Sequence, residues 1–181
     1  MRRITCLIAL SVLPTAALAA PDRAPSCADA PPPPEPWTSW TQSGNAVAGG
    51  EAGSAPRLIL GKPILATLRP VEQVQFPVRP SKAQPKSHGG LFTLALKDPA
   101  RIGIALSGPA WLDVVSGKTA AASIEHGHGP DCSGIRKIVW FDLAQGLHLI
   151  QIANSAQREI RIMAADARAN RPVSPAEKKP F

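Results

Sequence analysis

Tyrosine is absent from this 181-residue chain, and phenylalanine and tryptophan together reach only 4%. So few aromatics leave little to stack against the bases of a nucleic acid strand. Charged residues are also scarce, at 18%, and the net charge of +7 is scattered over Arg79, Lys82, Lys86, Arg168, Arg171, Lys178 and Lys179 instead of forming a stripe. An excess of this kind favours solubility and loose attraction to anionic surfaces, and nucleic acid is not expected as a partner. No apolar run approaches the ~20 residues of a membrane-spanning helix, so no span is expected. The chain also lacks a G-x-S-x-G elbow, a phosphate-cradling glycine loop, an H-E-x-x-H pair and a C-x-x-C pair, which removes the motif-bearing hydrolases, nucleotide enzymes, zinc proteases and redox modules. The length allows one ordinary domain with tails and no large multidomain enzyme.

What is present begins with an export signal over residues 1–19. Arg2 and Arg3 precede a short apolar run from Ile4 to Leu13, and Ala17-Leu18-Ala19 is a small-residue cleavage pattern. Cys6 lies inside the apolar run, away from the cleavage point, which argues against a lipid-anchored cysteine. Cleavage would remove two arginines and no acidic residue, so the exported chain stays basic. The expected location is the periplasm or beyond it.

Residues 20–56 read as a Pro/Ala/Gly-rich linker. Pro31 to Pro34 form a tetraproline that favours an extended polyproline II segment. Trp37 and Trp40 stand out in it, and are expected to pack on the domain's own surface or to bind a partner. Residues 167–181 read as a polar, disordered tail.

Between them, residues 57–166 read as a single all-β domain. The segments Arg57–Leu60, Ile64–Leu68, Val71–Val78, Leu91–Lys97, Arg101–Leu106, Trp111–Val115, Thr119–Glu125, Ile135–Leu143, Leu147–Ala153 and Glu159–Ala164 are separated by turn signals such as Asp98-Pro99, Ser107-Gly108-Pro109 and Ala144-Gln145-Gly146. Pro77 makes Val71–Val78 an edge strand, and Thr119–Glu125 is the weakest of the set. Phe92, Leu94 and Leu96 share one face, as do Ile102, Ile104 and Leu106. Ile138 and Trp140 oppose Val139 and Phe141, so both faces of that strand are expected to be covered. About nine short strands with no sustained helical pattern predict a β-sandwich of jelly-roll type, with a small cupin-like barrel as the alternative.

One polar constellation stands out: Glu125-His126-Gly127-His128-Gly129-Pro130-Asp131-Cys132. On a strand, His126 and His128 would face the same side. Imidazole and carboxylate are ligands that transition metals accept, so Glu125, His126, His128 and Asp131 form a candidate site for copper, zinc or iron. His88 and His148 could each add a ligand. The bland alternative is an exposed glycine-rich turn. Cys27 and Cys132 are the two cysteines left after cleavage, and an oxidising compartment makes a disulfide between them the default. Asp113, on a core-like strand beside Trp111 and Leu112, is expected to be a paired polar core residue or a strand-end turn former, more than a catalytic acid.

Two resemblances follow from particular segments. Leu91-Phe92-Thr93-Leu94-Ala95-Leu96, Ala110-Trp111-Leu112-Asp113-Val114, Leu143 to Ile150 and Arg161-Ile162 resemble strands of bacterial pre-peptidase C-terminal-type β-sandwiches, which implies an accessory module of a secreted protein. The tract PVRPSKAQPKSHGGLF, the segment WLDVV and above all HGHGPDCSGIRK resemble a family of small exported bacterial proteins often labelled homogentisate 1,2-dioxygenase. That label implies an iron-dependent dioxygenase whose ferrous ion is held by two histidines and a glutamate. Glu125, His126 and His128 have those residue types, in tighter spacing than the dispersed ligands of the large cytoplasmic dioxygenases. The function expected from residues and resemblance together is an exported, non-catalytic β-sandwich, structural or ligand-binding at the cell envelope. A periplasmic metal-binding protein and a metal-dependent dioxygenase are the alternatives.

Overall fold

A computed structural model describes residues 27–42 and 44–170. The export signal read over 1–19 and the tail beyond residue 170 lie outside the described residues. The described chain is all-β: β1 (Asn45–Val47), β2 (Arg57–Leu58), β3 (Ile64–Thr67), β4 (Arg69–Pro70), β5 (His88–Leu96), β6 (Ala100–Leu106), β7 (Trp111–Ser116), β8 (Thr119–Ala120), β9 (Glu125–Gly127), β10 (Lys137–Leu143), β11 (Gly146–Ser155) and β12 (Glu159–Asp166), with a few single 3-10 turns. One sheet runs β1-β3-β12-β6-β10-β9, the other β2-β5-β11-β7-β8 with β4 beside β5. None of the described helices is long and apolar enough to cross a membrane.

Alternation explains the sandwich. Phe92, Leu94, Ile102, Ile104, Phe141, Ile150, Ile152 and Ile162 are essentially inaccessible and meet in one cluster. Each buried side chain of this size stabilises by about 1.5–3 kcal/mol over exposure. The turns fall where the sequence places them, and Gly146, at φ 131°, closes the β10–β11 connection. The sandwich expectation holds, with a dozen short strands instead of nine.

Three local readings change. Val71–Val78 forms no strand: Val71–Gln73 is a 3-10 turn, and the prolines at 77, 80 and 85 deny the following loop a ladder of N–H donors. Thr119–Glu125 is not one strand, because β8 pairs with β7 in one sheet and β9 with β10 in the other. Residues 167–170, read as the start of the tail, make a 3-10 turn with Arg168 paired to Asp166 at 2.7 Å.

The segment read as a linker is, from Cys27 onward, a strap across the outer face of the first sheet. It starts at the β9–β10 edge, where Cys27 and Cys132 form a disulfide. Trp37 and Trp40 then bury themselves on Ala105, Ile135, Ile138, Met163 and Ala165, with Trp140 beside them. Trp37 meets Trp140 edge to face at 5.9 Å. Gly103, directly across from Trp140 in the register, makes room for it: a Cβ there would lie 2.7 Å from the indole. Arg161 clamps the strap by donating to the carbonyl of Gln42 at 2.6 Å. The strap ends as β1, parallel to β3 at the opposite edge, and Gly49 then bridges to Leu91 of the second sheet.

Candidate functional site

The HGHGPDC segment comes apart in the structure. Among the described residues no three His, Cys, Asp or Glu side chains gather closely enough to hold a metal ion. The register explains the dispersal. Glu125 pairs with Trp140 and His126 with Val139, so the two point to opposite faces of the sheet. His128 leaves the strand, and the Arg136 guanidinium lies 2.8 Å from its Nδ1. The same nitrogen lies 3.0 Å from the Arg136 carbonyl oxygen, so Arg136 engages it from both side chain and backbone. Asp131 sits in the exposed turn, and Cys132 is committed to the disulfide. His148 is buried with both nitrogens engaged, by Ser116 Oγ and the Ala144 carbonyl, each at 2.8 Å. Ser116 and His148 are cross-strand neighbours, and among the described residues no carboxylate hydrogen-bonds the histidine. His88 has its Nδ1 buried without a partner, apart from the other histidines' loop.

The chemistry-bearing groups that do converge lie at the end of the sandwich where β7 and β10 begin and β11 finishes. A groove of about 680 Å³ there is lined by Lys82, Lys86, Trp111, His126, Lys137 and Asn154, among others. A smaller hollow of about 210 Å³ adjoins it and shares Trp111, His126 and Lys137, while adding Asp113 and Ser123. The hollow exists because β8 pairs with β7 only at Val115 and Ser116. Leu112 and Val114 enter the core, so the alternate residues Trp111 and Asp113 face away from it.

Trp111 is the centre of this site. Its indole N–H donates to an Asp113 carboxylate oxygen at 2.9 Å, which fixes the ring. The ammonium groups of Lys82 and Lys137 lie 5.5 and 5.9 Å from the ring centroid, within cation–π range. Lys137 is further held by donating to the Ala110 carbonyl at 3.0 Å. Burial pushes the Lys137 ammonium below its ordinary value, Lys82 pushes it the same way, and Asp113 opposes them. Burial raises the Asp113 carboxyl, against hydrogen bonds from Trp111 and Gln151 and the charge of Lys137.

Lys82 and Lys86 reach the groove from the proline-rich loop after residue 74. Lys86 adopts φ 64°, and its backbone N–H donates to Glu72 at 3.0 Å, which holds the Glu72 carboxyl below its usual range. Ser87 closes the bend by donating to the Gln84 carbonyl. Among the described residues, none of Lys82, Lys86 and Lys137 makes an ion pair. Of these groups the sequence singled out His126 for a different role, read Asp113 as a paired polar core residue or a strand-end turn former, of which the pairing holds but the side chain faces away from the core, and passed over Lys137. A lysine at an inward-alternating position at the head of an apolar strand was the available signal.

No known protein-family model matches the chain, and no curated protein is significantly similar to it in sequence.

Proposed function

We propose that this is an exported binding module that takes anionic ligands in the groove around Trp111. The observation that carries the reading is that Lys82, Lys86 and Lys137, none ion-paired among the described residues, line one groove with Trp111, with the Lys82 and Lys137 ammonium groups over its ring and the half-buried Asp113 carboxylate beside it. Burial and then the Lys82 charge disfavour the Lys137 ammonium, and an incoming anion offsets both. Work outside the cytoplasm is supported by the Cys27–Cys132 disulfide, which an oxidising compartment maintains, and by the signal-like first residues. The module acts by holding its ligand at the envelope and not by transforming it.

The test is retention of the exported protein on an immobilised polyanion, with polyphosphate and polygalacturonate as the two probes. Retention should fall as salt rises. It should be lost in a Lys82→Ala/Lys86→Ala/Lys137→Met variant whose circular dichroism matches the parent. Equal retention of parent and variant would overturn the reading.

A further inference from the structure

The groove and the hollow differ in chemistry although they share a wall. The groove side is cationic, through Lys82 and Lys86. The hollow side offers the Asp113 carboxylate and the Ser123 hydroxyl above an apolar floor of Leu112, Val139 and Phe141. Trp111, His126 and Lys137 stand between the two compartments and line both. A simple inorganic anion would use only the first compartment. A ligand that fills both must carry an acid group on one side and hydroxyl groups on the other, joined by a flat apolar surface that lies against the indole.

We infer that the ligand is an acidic carbohydrate, a sugar ring bearing a carboxylate, within a linear polyuronate. The ring's C–H face stacks on Trp111, whose orientation is fixed by the N–H bond to Asp113, as the Lys82 ammonium now over the indole moves to the sugar's carboxylate. The carboxylate of the sugar meets Lys137 and the lysines of the 82–86 bend. Asp113 and Ser123 accept and donate to hydroxyls, and a carboxylate lining the hollow disfavours a second acid group there. Two compartments that adjoin along Trp111, His126 and Lys137 suit an internal unit of a chain. This inference rests on the anion-binding reading and adds the sugar to it.

The experiment is calorimetric titration of the intact exported protein with oligogalacturonate, its fully methyl-esterified counterpart and polyphosphate, repeated with Trp111→Ala and Asp113→Asn. Oligogalacturonate should bind, esterification should abolish binding, and each substitution should weaken it about tenfold, the loss of one good polar or stacking contact. Polyphosphate should bind less tightly and should not lose affinity with Asp113→Asn, which removes a negative charge beside Lys137. Equal binding of both polyanions, indifferent to Trp111→Ala, would leave the anion groove standing and overturn the sugar. Binding of the methyl ester as tight as the acid would overturn the charge requirement, and no binding of either polyanion would overturn both readings. A Trp111→Phe variant guards against a folding defect, since it keeps an aromatic face and should retain most of the oligogalacturonate affinity.

Discussion

The two faces of β10 are buried by different means. Val139, Phe141 and Leu143 face inward and are covered by the opposite sheet. Ile138 and Trp140 face outward and are covered by a strap whose main apolar contribution is Trp37 and Trp40. The inward cover is a second sheet, held by its own ladder of hydrogen bonds. The outward cover has few backbone hydrogen bonds to the sheet beneath it. A disulfide, two indoles, the Arg161 clamp and the three-residue β1 fix it instead. An apolar face therefore needs no sheet to bury it, provided the covering chain is anchored at both ends.

The comparison is sharpened first by truncation. Phe141→Ala opens a void that the two sheets cannot close, and should cost about 3–5 kcal/mol. Urea unfolding of the variant against the parent measures it. Next comes release of the strap. The 105-residue separation of the cysteines gives an upper bound of roughly 4–5 kcal/mol in the chain-entropy view, and about 2–4 kcal/mol in practice. Cys27→Ser should therefore lower the unfolding midpoint and expose Trp37 and Trp40 to fluorescence quenchers. The amides of β5 and β11 should stay protected from hydrogen exchange. Joint loss of protection in both sheets would break the distinction between the two covers. Smaller again is Gly103→Ala. Its new methyl meets the Trp140 ring, which packs against Trp37, so overpacking should cost about 1–3 kcal/mol. The same substitution with Trp140→Leu should be better tolerated, and thermal melts of the single and double variants test that pairing.

Much of this was legible in the sequence because alternation survives translation into structure. Phe92-Leu94-Leu96 and Ile102-Ile104-Leu106 declared their inward faces, and Ile138 with Trp140 declared that something must cover the outward one. What would cover it was legible in part: Trp37 and Trp40 are expected from the sequence to pack on the domain's own surface or to bind a partner, and they do the first, while the tetraproline and the glycines of 20–56 look like linker by composition and hide the strap around them. The site was harder still. Metal-ligand types at close spacing drew attention to residues 125–132, yet one strand with period two sends Glu125 and His126 to opposite faces. The lysines of the groove lie far apart in sequence, on the 82–86 bend and at the head of β10, and nothing local announces that they meet.

Lys137 carries the comparison to its end. It has the inward parity of Val139 and Phe141, but sits where the sandwich opens, so an ammonium occupies a position that alternation would give to an apolar group. Its ammonium is disfavoured by burial and by Lys82, so the folded state releases this proton at lower pH than the unfolded chain does. Stability from this group therefore rises with pH between the depressed folded value and the ordinary lysine value, and is poorest below that window, where both states are charged. Lys137→Met should raise the unfolding midpoint at neutral pH, by less than about 1 kcal/mol given the partial exposure. The advantage should shrink as the pH climbs into the lysine range. Removing the cation also leaves Asp113 with one fewer favourable charge, which trims the gain and keeps this the smallest of the predicted effects. Denaturant midpoints of parent and variant across neutral to alkaline pH decide it. A gain that holds constant with pH would mean the methionine stabilises only by filling space. A gain that fades, together with loss of polyanion retention, would mean that the inward face of β10 gives up stability at its first residue to hold a ligand.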